Sequence, residues 1–284
     1  MRFLVLAASD DVSAQRVFGA LRRRYPPAQV ALVPAHQLAS GRWSHQVDNA
    51  GAATRVSLPD GRVLSDREIG VVFNRLSAVT LSHYERATPA DRDYAQFEIQ
   101  ALVVSWLAGL GERVVNPPAP PSLAGPQRSQ CELLVAAGRA GLPVRSVHVA
   151  TSARAAPAPP GYDLLGAEWS QGGPALQWGP RSLATLGRSP VMAMAAMRGQ
   201  PRQLLLAGRQ VIGSTGPDMT AGCRRLGQAL QCPVLRVTVD RAVAGTGEWR
   251  VTEVSPLPSL GPESEVDAVL ALLEARASGT EPPQ

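Results

Sequence analysis

Near the C-terminus, two carboxylates and a hydroxyl stand at a spacing that can do chemistry. Asp240 and Glu253 lie in LRVTVDRAVAGTGEWRVTEV, and Ser255 follows in WRVTEVSPLPSL. Both ends of the first stretch read as β-strands and AGTG between them reads as a turn, so it predicts a hairpin of two long strands. Strands joined in this way bring residues of this separation to neighbouring positions. Converging carboxylates suit a hard, oxygen-ligated cation, Mg²⁺ or Mn²⁺, which can bridge to nucleotide phosphates. An exposed strand pair that happens to carry two acids looks the same in sequence, with Glu253 merely ending a strand. The rest of the chain has to separate these readings.

Other reaction classes find little footing. All 28 basic residues are arginine, the chain contains no lysine, and its net charge is +5. Schiff-base chemistry and Walker-type nucleotide binding are therefore excluded at their key residue. Arginine still offers a planar fork for carboxylate or phosphate oxygens. The 26 glycines, 25 prolines and abundant alanine make compositional bias an equally simple source of the arginine excess. Arg22, Arg23 and Arg24 form the one basic run, and no aromatic platform repeats, a pattern that does not favour nucleic-acid binding. His36, His45, His83 and His148 fit no metalloprotease or deaminase spacing. Ser9 and Asp10 lack the glycines of a nucleophile elbow. Cys131, Cys223 and Cys232 are odd in number without a C-x-x-C pair and read as buried thiols. The apolar runs LLLAG and QALVVSWLAGL fall short of the roughly 20 residues that cross a bilayer, so a cytoplasmic location is expected.

The elements that must position the acids follow from periodicity. With 45% hydrophobic residues the chain can build a large core. MRFLVLAAS predicts a strand and DDVSAQRVFGALRRRY a helix, with Val12, Val17, Phe18 and Leu21 on its apolar side. TRVSLPDGRVLSD predicts a hairpin turning at Asp60-Gly61. IGVVFNRL predicts a buried strand that delivers Asn74 and Arg75 to its carboxyl end, where open α/β sheets collect ligands. YAQFEIQALVVSWLAGL predicts a well-packed helix through Phe97, Leu102, Val103, Trp106 and Leu107. Strand and helix alternate up to VRSVHVAT, which favours an α/β fold.

From Thr151 to Pro190 the pattern fades into an Ala/Pro/Gly-rich stretch that reads as a long loop or much reduced subdomain, with Trp169 and Trp178 pinning it. Strands resume at VMAMAAMRG, where Met192, Met194 and Met197 are expected in the core, and at QLLLAGRQVIG, which reverses at Gly208. MTAGCRRLGQAL and ESEVDAVLALLEARA predict helices, and SGTEPPQ a frayed tail.

Taken in order, these pieces resemble the ATP-grasp superfamily, and most closely the ligases that form ester or amide crosslinks in graspetide precursors. GRVLSDREIGVVFNRL with FEIQALVVSWLAGLGERVVNPP is similar to their pre-grasp domain, and SLAGPQRSQCELLVAAGRAGLPV to the opening of the nucleotide-binding region. VMAMAAMRGQPRQLLLAGRQVIG through TEVSPLP resembles the C-terminal grasp subdomain and its metal-binding hairpin. The resemblance implies a pre-grasp-like α/β domain over residues 1–115, a reduced middle region over 116–189, a grasp-like subdomain over 190–277 and a tail at 278–284. It places Asp240 and Glu253 at the family's acidic metal ligands, with Ser255 where the usual asparagine stands. Arg128 lies close to the first nucleotide-contacting lysine. The second lysine and its glycine-rich loop have no counterpart, and QGGPALQWG lacks the strand that would precede such a loop. Arg128, Arg202 and Arg236 are the candidates to stand in for the lysines at phosphate.

Two functions remain open at this point. One is a protein that has lost ligation and serves as a peptide-binding or partner-regulating subunit, its partner an acidic precursor peptide or a separate modifying enzyme, met by Asn74 and Arg75. The other is an active carboxylate ligase that uses ATP and Mg²⁺ and works through an acyl-phosphate. Self-association is left open.

Overall fold

In the computed structural model, the structure describes residues 1–49, 51–79, 81, 86–119, 122–123, 125, 128–151, 162–169, 176–180, 191–195, 199–213, 215–241 and 248–280. In chain order the first elements are β1 (Phe3–Ala7), α1 (Val12–Arg24), β2 (Val30–Pro34), α2 (Ala35–Ala39), β3 (Arg42–Asp48), β4 (Gly51–Ser57), β5 (Val63–Ser65) and β6 (Val71–Arg75). Next come α3 (Pro89–Leu110), β7 (Val114–Val115), α4 (Gln130–Arg139), β8 (Val147–Ala150), β9 (Tyr162–Trp169), β10 (Leu176–Pro180) and β11 (Val191–Ala195). The last are β12 (Arg202–Ala207), β13 (Gln210–Ile212), α5 (Pro217–Leu230), β14 (Val234–Arg241), β15 (Trp249–Ser255) and α6 (Glu263–Ala277). Among the described residues no helix is long and apolar enough to cross a membrane.

Two compact units emerge, and neither is a single run of sequence. One comprises Met1–Arg128, Leu204–Arg236 and Ser255–Gln284, the other Ser129–Gln203 and Val237–Val254. This differs from the consecutive division expected from sequence. The chain passes from one unit to the other ahead of α4, between Arg128 and Ser129, and again within β12, β14 and β15.

The first unit is built on a parallel sheet ordered β2-β1-β6-β7. Every residue of β1 and β6 is buried, as a parallel sheet covered on both faces requires. Against one face pack Val17 and Leu21 of α1 and Val269, Leu272 and Leu273 of α6, meeting Phe3, Val5 and Phe73. Against the other pack Leu38, Trp106 and Leu107 together with Val56 and Leu64 from a second, antiparallel sheet ordered β3-β4-β5. The turn joining β4 to β5 is the expected one at Asp60-Gly61: Gly61 has φ +85°, a conformation that costs little only without a Cβ, and Asp60 accepts from the Arg62 backbone amide.

Two asparagines organise the interior of this unit. Asn74 is 0% exposed and donates to the Asn116 and Leu123 carbonyls at 2.9 and 2.7 Å. Asn116 sits in the left-handed region at φ +58°, which asparagine tolerates better than most residues. Its Nδ2 donates to the carbonyls of Val234 and Pro256 at 2.7 and 2.9 Å, and its Oδ1 accepts from the Val234 amide at 3.0 Å.

The second unit opens with α4, whose Ser129 and Glu132 form a reciprocal capping box. Gln130 on its first turn donates to the Val254 carbonyl at 3.0 Å, and the backbone at Pro143 and Arg145 pairs with Val251 of β15. β8 to β11 form an antiparallel sheet ordered β10-β9-β11-β8. Of the long loop or much reduced subdomain expected over 151–190, the described residues include two strands, β9 and β10, which pair from Leu176↔Trp169 to Pro180↔Leu165. YDLLGAEW carries a glycine and two acids that weaken its strand signal, and pairing with β11 overrides that weak propensity. The side chains of Trp169 and Trp178, and Met197 altogether, lie outside the described residues. Met192 and Met194 are buried, as expected. β12 to β15 form a sheet ordered β13-β12-β14-β15.

Two expectations for helix faces are corrected. Val12 is 64% exposed and Phe97 71% exposed. Helix α3 carries apolar residues on more than one side, and Phe97 lies nine residues from Trp106, about 180° around the helix.

Two predictions follow from this packing. Asn116→Ala leaves the Val234 amide without its partner, takes the amide donor from the Val234 and Pro256 carbonyls and keeps the left-handed strain, so urea unfolding should show a loss of about 3 kcal/mol. Asn116→Gly loses the same bonds but relieves the backbone, and should be milder by about 1 kcal/mol. Burial pushes the Cys223 thiol up to about 11 and that of Cys232 up to about 12, whereas half-buried Cys131 is raised by burial and then by Glu132. Thiolate-selective labelling of the folded protein read by mass spectrometry should therefore reach Cys131 first and Cys232 only on unfolding.

Candidate functional site

The predicted acids do lie on adjacent strands, with Asp240 next to the end of β14 and Glu253 on β15. Their environments differ. Asp240 is 7% exposed, and its Oδ1 accepts from the Arg241 backbone amide at 2.6 Å. Among the described residues it forms no ion pair. Gly199 makes room for it, since a Cβ at that position would overlap Asp240 Oδ1. Glu253 is exposed, and Ser255, the last residue of β15, is half-buried. Among the described residues no group of three His, Cys, Asp or Glu side chains gathers as a metal set. A buried carboxylate answered by one amide is nevertheless short of positive charge, and hard oxygen donors of this kind fit a divalent cation.

Arginines stand beside these acids through an aromatic that sequence reading did not single out. The Arg202 and Arg241 guanidiniums each lie 4.9 Å from the centroid of the Trp249 ring. Both arginines are exposed, and neither pairs with a carboxylate among the described residues. The neighbouring Arg250 keeps a buried Nε without a hydrogen-bond partner among the described residues. Stacking on indole fixes each cation at a favourable distance of the ring quadrupole and leaves the N–H edges for an anion. AGTG, the expected turn, lies outside the described residues at 244–247, and the pairing of β12, β14 and β15 rather than the sequence brings Trp249 to the arginines.

The other predicted residues are placed elsewhere. Arg128 is exposed directly ahead of Ser129. Arg236 donates to Glu265 at 2.8 Å and to the Ser259 carbonyl, in a pair whose side chains are 11% and 7% exposed. Asn74 is held inside the core. Arg75, 5% exposed, donates from Nε to Asp11 at 2.7 Å and from Nη1 to the Pro258 carbonyl at 2.9 Å. Asp11 in turn caps α1 by accepting from the Ala14 amide, so Arg75 completes a helix terminus. The expectation that Asn74 and Arg75 greet a partner meets side chains turned inward. The glycines of QGGPALQWG at 172–173 lie outside the described residues.

No family model and no curated protein matches the sequence. Solved structures do match over nearly the whole chain. A Chryseobacterium gregarium RiPP-associated ATP-grasp ligase, in complex with ADP and a leader and core peptide, superposes with a TM-score of 0.69 at 12% identity, covering 96% of each chain. The macrocyclase MdnC of Microcystis aeruginosa, bound with the precursor peptide MdnA, gives 0.69 at 13% identity, covering 94% of this chain and 98% of MdnC. The ATP-grasp ligase PsnB, complexed with minimal precursor, Mg and ADP, gives 0.67 at 16% identity, covering 98% of both. At these identities the likeness is one of fold, and the fold is ATP-grasp-like with a mixed α/β architecture.

Proposed function

We propose that this chain is an ATP-grasp-like protein of peptide modification that binds an acidic peptide segment or a modifying enzyme and has lost standard ATP-dependent ligation. The observation that carries this reading is the loss of cations suited to phosphate. Transfer of a phosphoryl group needs positive side chains free to follow charge onto the transferring oxygens. The chain has no lysine, and Arg236 is held by Glu265, so of the arginines expected to stand in only the exposed Arg128 and Arg202 are left for that role. Ser255 offers a hydroxyl where an amide oxygen is usual in the family it resembles. Arg202 and Arg241 instead suit carboxylates of a peptide, in keeping with the peptides present in the complexes of similar fold.

A second reading rests on Asp240, a buried carboxylate that lacks a cation partner among the described residues. With Glu253 it would hold Mg²⁺, and ATP would supply the phosphoryl group that activates a peptide carboxylate. The four-stranded sheet β10-β9-β11-β8 removes the objection that the middle region has too little structure for this.

Calorimetric titration with ATP and ADP, with and without Mg²⁺, separates the two. The first reading expects no binding up to about millimolar nucleotide, a free energy weaker than about −4 kcal/mol. Magnesium-dependent ATP binding that vanishes in Asp240→Asn and Glu253→Gln would establish the second. For the peptide face, a synthetic peptide rich in Asp and Glu should bind with salt-sensitive affinity. Arg202→Ala and Arg241→Ala should each weaken it about five- to tenfold, close to 1 kcal/mol, in fluorescence anisotropy.

A further inference from the structure

Helices α1 and α6 lie side by side on the parallel sheet and leave a groove between them. They are fastened at both ends of it. Leu260, ahead of α6, donates its amide to Ser13 Oγ at 2.8 Å, and farther along Arg24 pairs with Asp267 and Glu274 at 2.8 and 3.3 Å. The groove has a volume of about 450 Å³, is open on one side, and is lined by Val12, Arg16, Gly19 and Arg23 of α1 and by Glu263 and Val266 of α6. The α1 residues span eleven positions, so the groove runs about 16 Å along the helix axis.

Packing within the chain leaves two of its features unused. Gly19 stands in the interior of α1, where glycine is less favourable than any residue but proline. A Cβ there would meet nothing nearer than Arg23 Nη1 at 4.0 Å, so no close approach calls for the missing side chain. The other feature is charge. In the basic run, Arg22 lies over the Phe18 ring and Arg24 is held by two acids, whereas Arg23 has neither an ion pair nor a hydrogen bond among the described residues. Arg16 gives one N–H to the Leu260 carbonyl at 3.2 Å and pairs with no carboxylate among the described residues.

We propose that this groove binds a linear acidic peptide segment of a partner protein, with two carboxylates answered by Arg16 and Arg23 and an apolar side chain seated over Gly19 between them. Arg16 and Arg23 are seven positions apart, which sets them on one face of α1 about 10 Å apart along the axis. An extended polyproline-type peptide presents the same face every third residue and rises about 9 Å in doing so. Val12, 64% exposed, and Val266, 5% exposed, supply the apolar contact. Glu263, in the first turn of α6 where a carboxylate complements the helix dipole, sets one negative charge against the two guanidiniums. That balance suits a peptide with spaced carboxylates and disfavours a dense polyanion such as nucleic acid. The groove lies wholly in the first unit, whereas Arg202, Arg241 and Trp249 belong to the second, so this site stands independently of the one they form.

The probe is a fluorescein-labelled peptide, Gly-Glu-Pro-Leu-Glu-Pro-Gly, titrated with the full chain and read by fluorescence anisotropy. Saturable, salt-sensitive binding below about 1 mM is expected. Gly19→Leu should abolish it by filling the groove while the melting temperature holds or rises, since the position is open and leucine is a strong helix former. Arg23→Ala should weaken it about three- to fivefold, and Arg202→Ala and Arg241→Ala should leave it unchanged. The absence of saturable binding overturns the proposal, as does binding indifferent to Gly19→Leu. Binding lost in the Arg202 or Arg241 variants but kept in Gly19→Leu assigns the peptide to the second unit and overturns this site alone. Displacement by inorganic phosphate or a single-stranded oligonucleotide as effective as by unlabelled peptide reduces the groove to a general anion site, and that too overturns it.

Discussion

The hairpin that carries Asp240 and Glu253 depends on one buried amide. Asn116 accepts from and donates to Val234, where β14 begins, and donates to the carbonyl of Pro256, just past the end of β15. Both legs of the hairpin are thus tied at their base to a single residue, whose backbone carbonyl is held by Asn74. Its bonds to Val234 and Asn74 are shielded from water, where a lost partner costs more than a made bond returns. The left-handed backbone at Asn116 is what aims its amide at both legs at once. A residue that reads as the end of a strand before two prolines is therefore what holds the start of β14 to the chain just past β15.

A chain without lysine has to build with arginine, and the structure shows what that does. Arg113 reaches the carbonyls of Asp66, Ile69 and Leu110, Arg276 those of Glu112 and Val114, and Arg75 that of Pro258 together with Asp11. A planar fork with five donors can close several carbonyl ends simultaneously, which a single ammonium does less well. The consequence reaches function, because cations embedded in the scaffold cannot move with charge during a reaction. Arg202 and Arg241 differ in that an aromatic ring, rather than a carbonyl or carboxylate, positions them, so their hydrogen-bonding edges are retained for something outside the chain.

Much of the first unit was legible from sequence. Its β1 is short and fully apolar and β6 opens on Val71, Val72 and Phe73, the Asp60-Gly61 turn is a strong local signal, and α6 lies where its periodicity put it. Signals of that kind are local. Three misreadings share the opposite character. β9 and β10 are held by pairing with a partner strand rather than by their own propensity. Asn74 and Arg75 lie at a strand end, where ligands gather in many α/β folds, but here the chain's own Asn116, Leu123 and Pro258 carbonyls and Asp11 carboxylate occupy them. Phe97 shows that periodicity counts apolar surface without saying which face of a helix the core will take. The acids of the hairpin were found because their spacing is local; Trp249, which organises the arginines near them, was not, because its role is set by cross-strand register.

Two buried carboxylates show how structural and functional charge can be told apart. Glu265 is 5% exposed and answered twice, by Arg236 at 2.8 Å and by the Gly261 amide at 2.9 Å. Such a pair satisfies itself, and its removal would be felt as stability. Asp240 is almost as buried, yet one backbone amide is its hydrogen-bond donor and no arginine pairs with it among the described residues, although Arg241 adjoins it in sequence and is turned to Trp249 instead. Gly199 widens the gap around it by lacking a side chain. A fold that needed this carboxylate for stability would be expected to answer its charge as it does that of Glu265. An Asp240 answered by one amide among the described residues would gain from a bound cation, and it is on this contrast that we propose the hairpin as a site.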